Sequence, residues 1–369
     1  MIPVNEPILG KREKDLLLNC IDTGWISSEG LFVKEFEKKF SQYVGRKYGV
    51  AVCNGSAALD IAVATLNLGK GDEVILPTFT IISCAASIVR AGAVPVLIDS
   101  DPITWNVDVN QIEKKITPRS KAIMVVHIYG MPVDMDPIFE IAKKYNLKII
   151  EDAAEAIGQK YRKKVCGSFG DISTFSFYPN KHVTTGEGGM VLTDDESIAE
   201  RCKSLRNLCF QPEKRFVHQE LGWNFRMTNL QAAVGIAQLE RLDEFIEKKK
   251  RMGKKYTELL SDHDGVDIPI SKIEYAENVY WVYGIVLKDK LYVEADKVMM
   301  TLREKGVGTR PFFWPMHEQP VFKKMGLFLD GTFPVAERIA RRGFYIPSGL
   351  ALTDEQINKV AKILHEIIK

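Results

Sequence analysis

Two periods of hydrophobic and polar positions run along this chain, and the switches between them mark its elements. Residues 11 to 22 set Leu16, Leu17, Cys20 and Ile21 against Lys11, Arg12 and Lys14 on a helical period, which predicts an amphipathic helix ended by Gly24. Residues 31 to 43 repeat the pattern, with Phe32, Val33, Phe36 and Phe40 on one face. From residue 48 short apolar runs take over: 48–52, 74–76, 94–99, 122–126, 148–150, 172–177 and 190–193. The earlier ones are each followed by a polar turn and a helical stretch. Strand, turn and helix in alternation predict an α/β fold on a mostly parallel sheet. A long helix is expected from Leu230 to about Leu260. After Gly265 the order changes to a strand over 280–287 and helices over 294–305 and 354–368, a smaller α+β unit. The division is expected near residue 250, giving a large domain over 1–250 and a small one over 251–369.

Composition narrows the function classes. The 369 residues are 46% hydrophobic and 27% charged, which provides material for a large core. A net charge of +2 gives no electrostatic case for a nucleic-acid partner. The six cysteines are scattered without a C-x-x-C pair, so neither a disulfide framework nor a zinc site is indicated. No signal-peptide pattern opens the chain, and no apolar run reaches the roughly 18 residues of a membrane span, so a soluble, cytoplasmic protein is expected. No G-x-G-x-x-G follows the first strand, which speaks against a dinucleotide.

The chemistry concentrates between Asp171 and Asp195. A strand-like run over 172–177 breaks at Pro179-Asn180, presents Lys181, and passes through the glycine-rich turn Thr184-Thr185-Gly186-Glu187-Gly188-Gly189 into a second strand. Most lysines on such loops are solvated. One held in a dry site has a lowered proton affinity and becomes a nucleophile. A P-loop is excluded, because its lysine follows the glycines and opens a helix. Two more features stand at strand ends, where open α/β sheets bind ligands. Gly55-Ser56-Ala57 turns the first strand into a helix, with Ser56 suited to cap it and its N-terminus suited to a phosphate. The strand 148–150 delivers Glu151-Asp152-Ala153-Ala154-Glu155. His127, at another strand end, reads more readily as a structural hydrogen-bonding residue than as a catalytic one.

The run Phe175-Ser176-Phe177-Tyr178-Pro179-Asn180-Lys181-His182-Val183-Thr184-Thr185-Gly186-Glu187-Gly188-Gly189 resembles the cofactor-bearing segment of the DegT/DnrJ/EryC1/StrS sugar aminotransferases, and the likeness covers essentially the whole chain. It implies the aspartate aminotransferase-like fold, type I of the pyridoxal phosphate (PLP)-dependent transferases, with a small C-terminal domain. By the same resemblance Lys181 is the catalytic lysine that carries the cofactor as a Schiff base. Gly55, Ser56, Ala57 and Ser176 would hold the cofactor phosphate, Asp152 would face the pyridine nitrogen, and Glu155 would lie near the phenolic oxygen, where many relatives carry Gln or His. Asn224 would reach the phosphate in the neighbouring subunit, which implies a homodimer with shared active sites. Trp314 and His317, in the loop 309–317, and Arg226 are the candidate substrate contacts. Ile81 stands where relatives often place an aromatic on the cofactor ring.

The activity implied is amination of a nucleotide-linked 4-keto-6-deoxy sugar with L-glutamate as donor, and the likeness is greatest to members acting on GDP-4-keto-6-deoxymannose. UDP- and dTDP-linked ketosugars, amination at carbon 3, a PLP-dependent 3-dehydratase and a catalytically silent homologue stay open. The dehydratases carry histidine where Lys181 stands. The use of the sugar, in O-antigen lipopolysaccharide, an S-layer glycan or an antibiotic, is open as well.

Overall fold

The two expected N-terminal helices form as α1 (Lys11–Thr23) and α2 (Leu31–Val44). Each stops at a glycine in the left-handed region, Gly24 at φ 72° and Gly45 at φ 88°, where a side chain would be strained. The computed structural model describes residues 1–211 and 213–368.

Strands and helices then alternate: β1 (Tyr48–Val52), α3 (Gly55–Ala64), β2 (Glu73–Pro77), α4 (Ile82–Arg90), β3 (Val94–Ile98), β4 (Ser120–Val126), α5 (Met135–Tyr145), β5 (Lys148–Asp152), β6 (Ile172–Ser176), β7 (Gly189–Thr193) and α6 (Glu196–Arg206). The seven strands lie in one sheet in the order β1-β7-β6-β5-β4-β2-β3. Strands β6, β5, β4, β2 and β3 run parallel, and β7 is antiparallel to both β6 and β1. Helices cover both faces, so the central strands are buried on both sides; all five residues of β2 are buried, and all five of β7. One face packs on α1, α2, α5 and α7 (Asn229–Leu239), the other on α3, α4 and α6.

The expected single helix from 230 to 260 is two. Thr228 and Gln231 form a reciprocal cap at the start of α7, and the backbone leaves helical geometry at Arg241 (φ −114°, ψ 8°) before α8 (Leu242–Leu260) begins. An unbroken amphipathic pattern across 240–241 concealed this turn. Beyond α8 lies a four-stranded antiparallel sheet, in the order β8 (Val266–Asp267), β9 (Tyr283–Leu287), β11 (Gly343–Ile346), β10 (Arg310–Pro311), with α9 (Ala295–Glu304) and α10 (Asp354–Ile367) against it. Residue 250 falls inside α8, whose Met252, Tyr256 and Leu260 pack in this second unit's core. Ile2 joins the same core and bridges to Val307, so the start of the chain lies on the second unit.

An aromatic cluster ties α2 to the strand leading into Lys181. Phe177 lies 5.1 Å from Phe36 and 5.0 Å from Phe40, and Phe40 lies 4.8 Å from Phe175, ring centre to ring centre. Truncating Phe177 to Ala is expected to cost about 3–5 kcal/mol, read as a lower midpoint in urea unfolding of the purified protein.

Candidate active site

The carboxyl ends of β1, β4, β5 and β6 open onto one cleft of about 510 Å³, closed from the other side by Trp281, Phe313 and Tyr345. Strand β5 ends in Asp152, and the turn after it brings Glu155 to the same wall. Lys181 enters from the loop after β6. That loop is tied to itself: Thr184 Oγ1 and the Thr185 N–H donate to the Phe177 carbonyl, and the Phe177 N–H donates to the Gly188 carbonyl. Gly189 is required at its end, because a Cβ there would stand 2.4 Å from the Asn54 carbonyl oxygen.

Lys181 is buried, with a side chain 9% exposed, and its Nζ lies 3.9 Å from Glu155 Oε1. Burial pushes the amine below the usual lysine range, against the opposing pull of Glu155 and Asp152. Glu155 is raised to about 7 by burial, with Lys181 and the Tyr129 N–H, 3.0 Å from Oε2, working to lower it. Asp152 is likewise raised by burial. Its Oδ1 accepts the Ala154 N–H at 3.0 Å and its Oδ2 the Cys84 thiol at 3.3 Å. The cleft thus holds a nucleophilic amine beside one carboxyl group titrating near neutrality, and a second carboxyl fixed in orientation at the sheet edge.

At the other end the helix starts of α3 and α4 meet. Ser56 and Ser83 share a hydrogen bond of 2.7 Å between hydroxyls, and Ser176 faces Gly55 so closely that a Cβ on Gly55 would lie 2.7 Å from the Ser176 Cβ. These three hydroxyls and the start of α3 suit a phosphate. The cap is not Ser56. Asn54 caps α3, and its Oδ1 takes the Ala57 N–H at 2.8 Å. The Ala57 amide therefore already has a partner, and the residue is buried and does not line the cleft. Two side-chain oxygens lining the cleft, Thr174 Oγ1 and Asn180 Oδ1, are buried without a partner. A polar ring compound with a phosphate tail fits these residues.

Other expected residues lie elsewhere. His127 accepts the Val133 N–H at Nδ1 and pairs with Glu151 through Nε2 at 3.0 Å, fully buried, which bears out its structural reading. Thr78 Oγ1 at 2.9 Å and Glu337 Oε1 at 3.2 Å occupy both ring nitrogens of His317, and its ring is buried outside the cleft. Trp314 is also outside the lining; it stands 45% exposed under the Arg341 guanidinium, and its neighbour Phe313 lines the cleft instead. Arg226 bonds Asn224 Oδ1 at 2.9 Å and Asn207 Oδ1 at 2.8 Å and does not line this chain's cleft. Asn224 is exposed and absent from this chain's own cleft. Ile81 does line the cleft, 40% exposed. Sequence reasoning missed Ser83, Thr174, Trp281 and Tyr345. Ser83 had a readable signal, a hydroxyl in the first turn of a helix after a strand; the others come from register and from the second unit.

The model of the family described as the DegT/DnrJ/EryC1/StrS aminotransferase family matches residues 7–365. The GDP-perosamine synthase of Caulobacter vibrioides is 42% identical, over 100% of this chain and 98% of its own. That of Escherichia coli O157:H7 is 40% identical, over 99% and 98%. Among solved structures, the aminotransferase TlmJ from Streptoalloteichus hindustanus superposes with a TM-score of 0.92 at 29% identity, covering 99% of this chain and 98% of that one.

His182, next to Lys181, is buried with Nδ1 unpartnered, and burial and the neighbouring Lys249 and Lys181 push it down to about 3. An unfolded histidine takes a proton near 6.5, so stability from the neutral ring is complete above that pH. It is lost as pH falls through 6.5 toward 3. His182→Phe should flatten this acid limb by about 1.4 kcal/mol per pH unit, seen by comparing urea midpoints of both proteins at pH 7.5 and 5.

Proposed function

The chain belongs to the DegT/DnrJ/EryC1/StrS aminotransferase family, and from that membership we propose that it aminates carbon 4 of GDP-4-keto-6-deoxymannose, with PLP as cofactor and glutamate as donor, to give GDP-perosamine. The observation that carries the reading is the likeness, over the full chain, to two GDP-perosamine synthases, joined to a cleft that presents Lys181, Glu155 and Asp152 together.

Ser56, Ser83, Ser176 and the start of α3 would hold the cofactor phosphate, and Asp152 would hold a proton on the pyridine nitrogen. When bound, PLP supplies a carbonyl for amines and a ring that takes up negative charge from the neighbouring carbon. The chain's own part is proton handling. Lys181 Nζ, lowered by burial, takes the proton from the donor's α-carbon and returns it to the adjoining carbon as general base and then acid. Glu155, raised to about 7 by burial, lies 3.9 Å from that amine and balances its charge. Of the three aromatic residues on the second-unit side, Phe313 and Tyr345 exclude water from the sugar.

The protein acts as a homodimer in this reading, with Asn224 projecting toward the partner's cleft. Supporting this, Trp25, Leu31, Ile81 and Leu221 are large apolar residues left exposed. Among the described residues no helix is long and apolar enough to cross a membrane, and a cytoplasmic enzyme feeding O-antigen lipopolysaccharide synthesis is consistent with a soluble nucleotide-sugar substrate.

The test is a mass-spectrometric assay with PLP and glutamate against the GDP-, UDP- and dTDP-linked 4-keto-6-deoxy sugars. An amino sugar from the GDP substrate alone is expected. Product only from UDP or dTDP sugars overturns the substrate, and loss of water without amine transfer overturns the reaction. Lys181→Ala should lower turnover by roughly 10²–10⁴-fold or more, measured as glutamate-dependent 2-oxoglutarate release.

A further inference from the structure

Trp281 stands where α8, the Lys181 loop and the second sheet meet, and it is 3% exposed. Its ring face lies over Lys181 Nζ, 3.6 Å from the nitrogen to the ring centre. The indole is fixed from several sides. Its Nε1–H donates to the carbonyl of Asn180, the residue before Lys181, at 2.8 Å. Its main-chain carbonyl accepts from Lys249 Nζ at 2.9 Å, and Lys249, buried in α8, donates also to the Ser348 carbonyl. Gly130 packs against the main chain of Trp281: a Cβ there would lie 2.7 Å from the Trp281 main-chain nitrogen. Packing alone would need only an apolar residue of this size. It would not need the indole N–H bound to the segment that carries Lys181 while the ring face is turned to the amine.

We propose that Trp281 is a positioning residue of the reaction, its ring face being the seat on which the ε-ammonium of Lys181 rests whenever that amine is free. The proposal rests on Lys181 being the reacting amine. A free amine in this cleft must keep a proton at Nζ with little water to stabilise it. Glu155 and Asp152 favour the ammonium, whereas Lys249 faces the same region as a buried cation and His182 stays neutral above about pH 3. The carboxylates attract the charge but can also take the proton. An indole face attracts the charge through its quadrupole and has no lone pair to accept the proton. Trp281 therefore holds the ammonium without competing for what it carries.

The test uses the cofactor-free protein, so it does not depend on which sugar is aminated or whether one is. Lys181 is titrated by competitive acetylation across pH, with the Lys181 peptide quantified by mass spectrometry. Trp281→Leu should lower the amine's pKa by about half a unit, roughly threefold more reactive amine below the pKa, and Trp281→Phe should keep most of the wild-type value. Thermal midpoints check that both variants are folded. Protein produced with 5-fluorotryptophan and with 5,7-difluorotryptophan keeps the ring's shape while weakening its quadrupole, and should show a stepwise fall in the same pKa. An unchanged or raised pKa in Trp281→Leu, or no response to fluorination, would mean that the ring only excludes water, and would overturn the proposal.

Discussion

A lysine amine facing two buried carboxyl groups is the constraint on which the rest of the structure depends. Burial by itself would discharge all three: it lowers the Lys181 amine and raises Glu155 and Asp152. Each stays usable because the fold delivers a fixed partner to it. Asp152 has the Ala154 N–H and the Cys84 thiol, and Glu155 has the Tyr129 N–H. Tyr129 supplies that N–H from a left-handed backbone, φ 54° and ψ 25°, a conformation that costs a residue with a side chain about 1–2 kcal/mol. Strain of this kind persists only where the surroundings over-determine it. Here Tyr129 is locked among Phe79, Trp105, Trp281 and Phe312.

The sheet makes this arrangement possible. Parallel strands place all their carboxyl ends on one edge, so residues distant in sequence meet there without long loops. The one antiparallel strand, β7, lets the chain double back directly after the Lys181 loop, which fixes the lysine between two neighbouring strands. Helix starts on the same edge add donors that no side chain has to provide. The second unit then covers the opening with Trp281, Phe313 and Tyr345. Lys249 stitches this cover to α8 by holding the carbonyls of Trp281 and Ser348, and burial lowers it to about 7.

The fold was largely legible because its signals are local. The switch from helical to strand period at residue 48, Gly24 at a helix end, and the apolar runs of the buried strands each follow from a few neighbouring residues. The break at Arg241 was not legible, since the amphipathic pattern continues through it. Ile2 in the second core was invisible for a different reason: nothing near residue 2 encodes a partner more than three hundred positions away. Within the site, Lys181, Asp152, Glu155, Ser176, Gly55 and Ser56 were found from motif residues at strand ends and do line one cleft. The sequence did not show that Asn54, one residue before the motif, takes the Ala57 amide. Nor can a residue-type argument see that Thr78 and Glu337 satisfy both ring nitrogens of His317.

By itself, then, the sequence determined the α/β alternation, the strand ends that bear chemistry, and the family whose cofactor segment surrounds Lys181. These are properties of short stretches, set by periodicity, turn residues and motif order. Only the tertiary structure decided which groups set one another's proton affinity. It set Glu155 3.9 Å from Lys181, gave Asp152 a thiol from α4, paired Ser56 with Ser83 across two helix starts, and turned Trp281 onto the amine from a unit a hundred residues further along. Proton affinity depends on burial and on charges within a few ångströms, and both are fixed by packing between elements rather than by any stretch read alone.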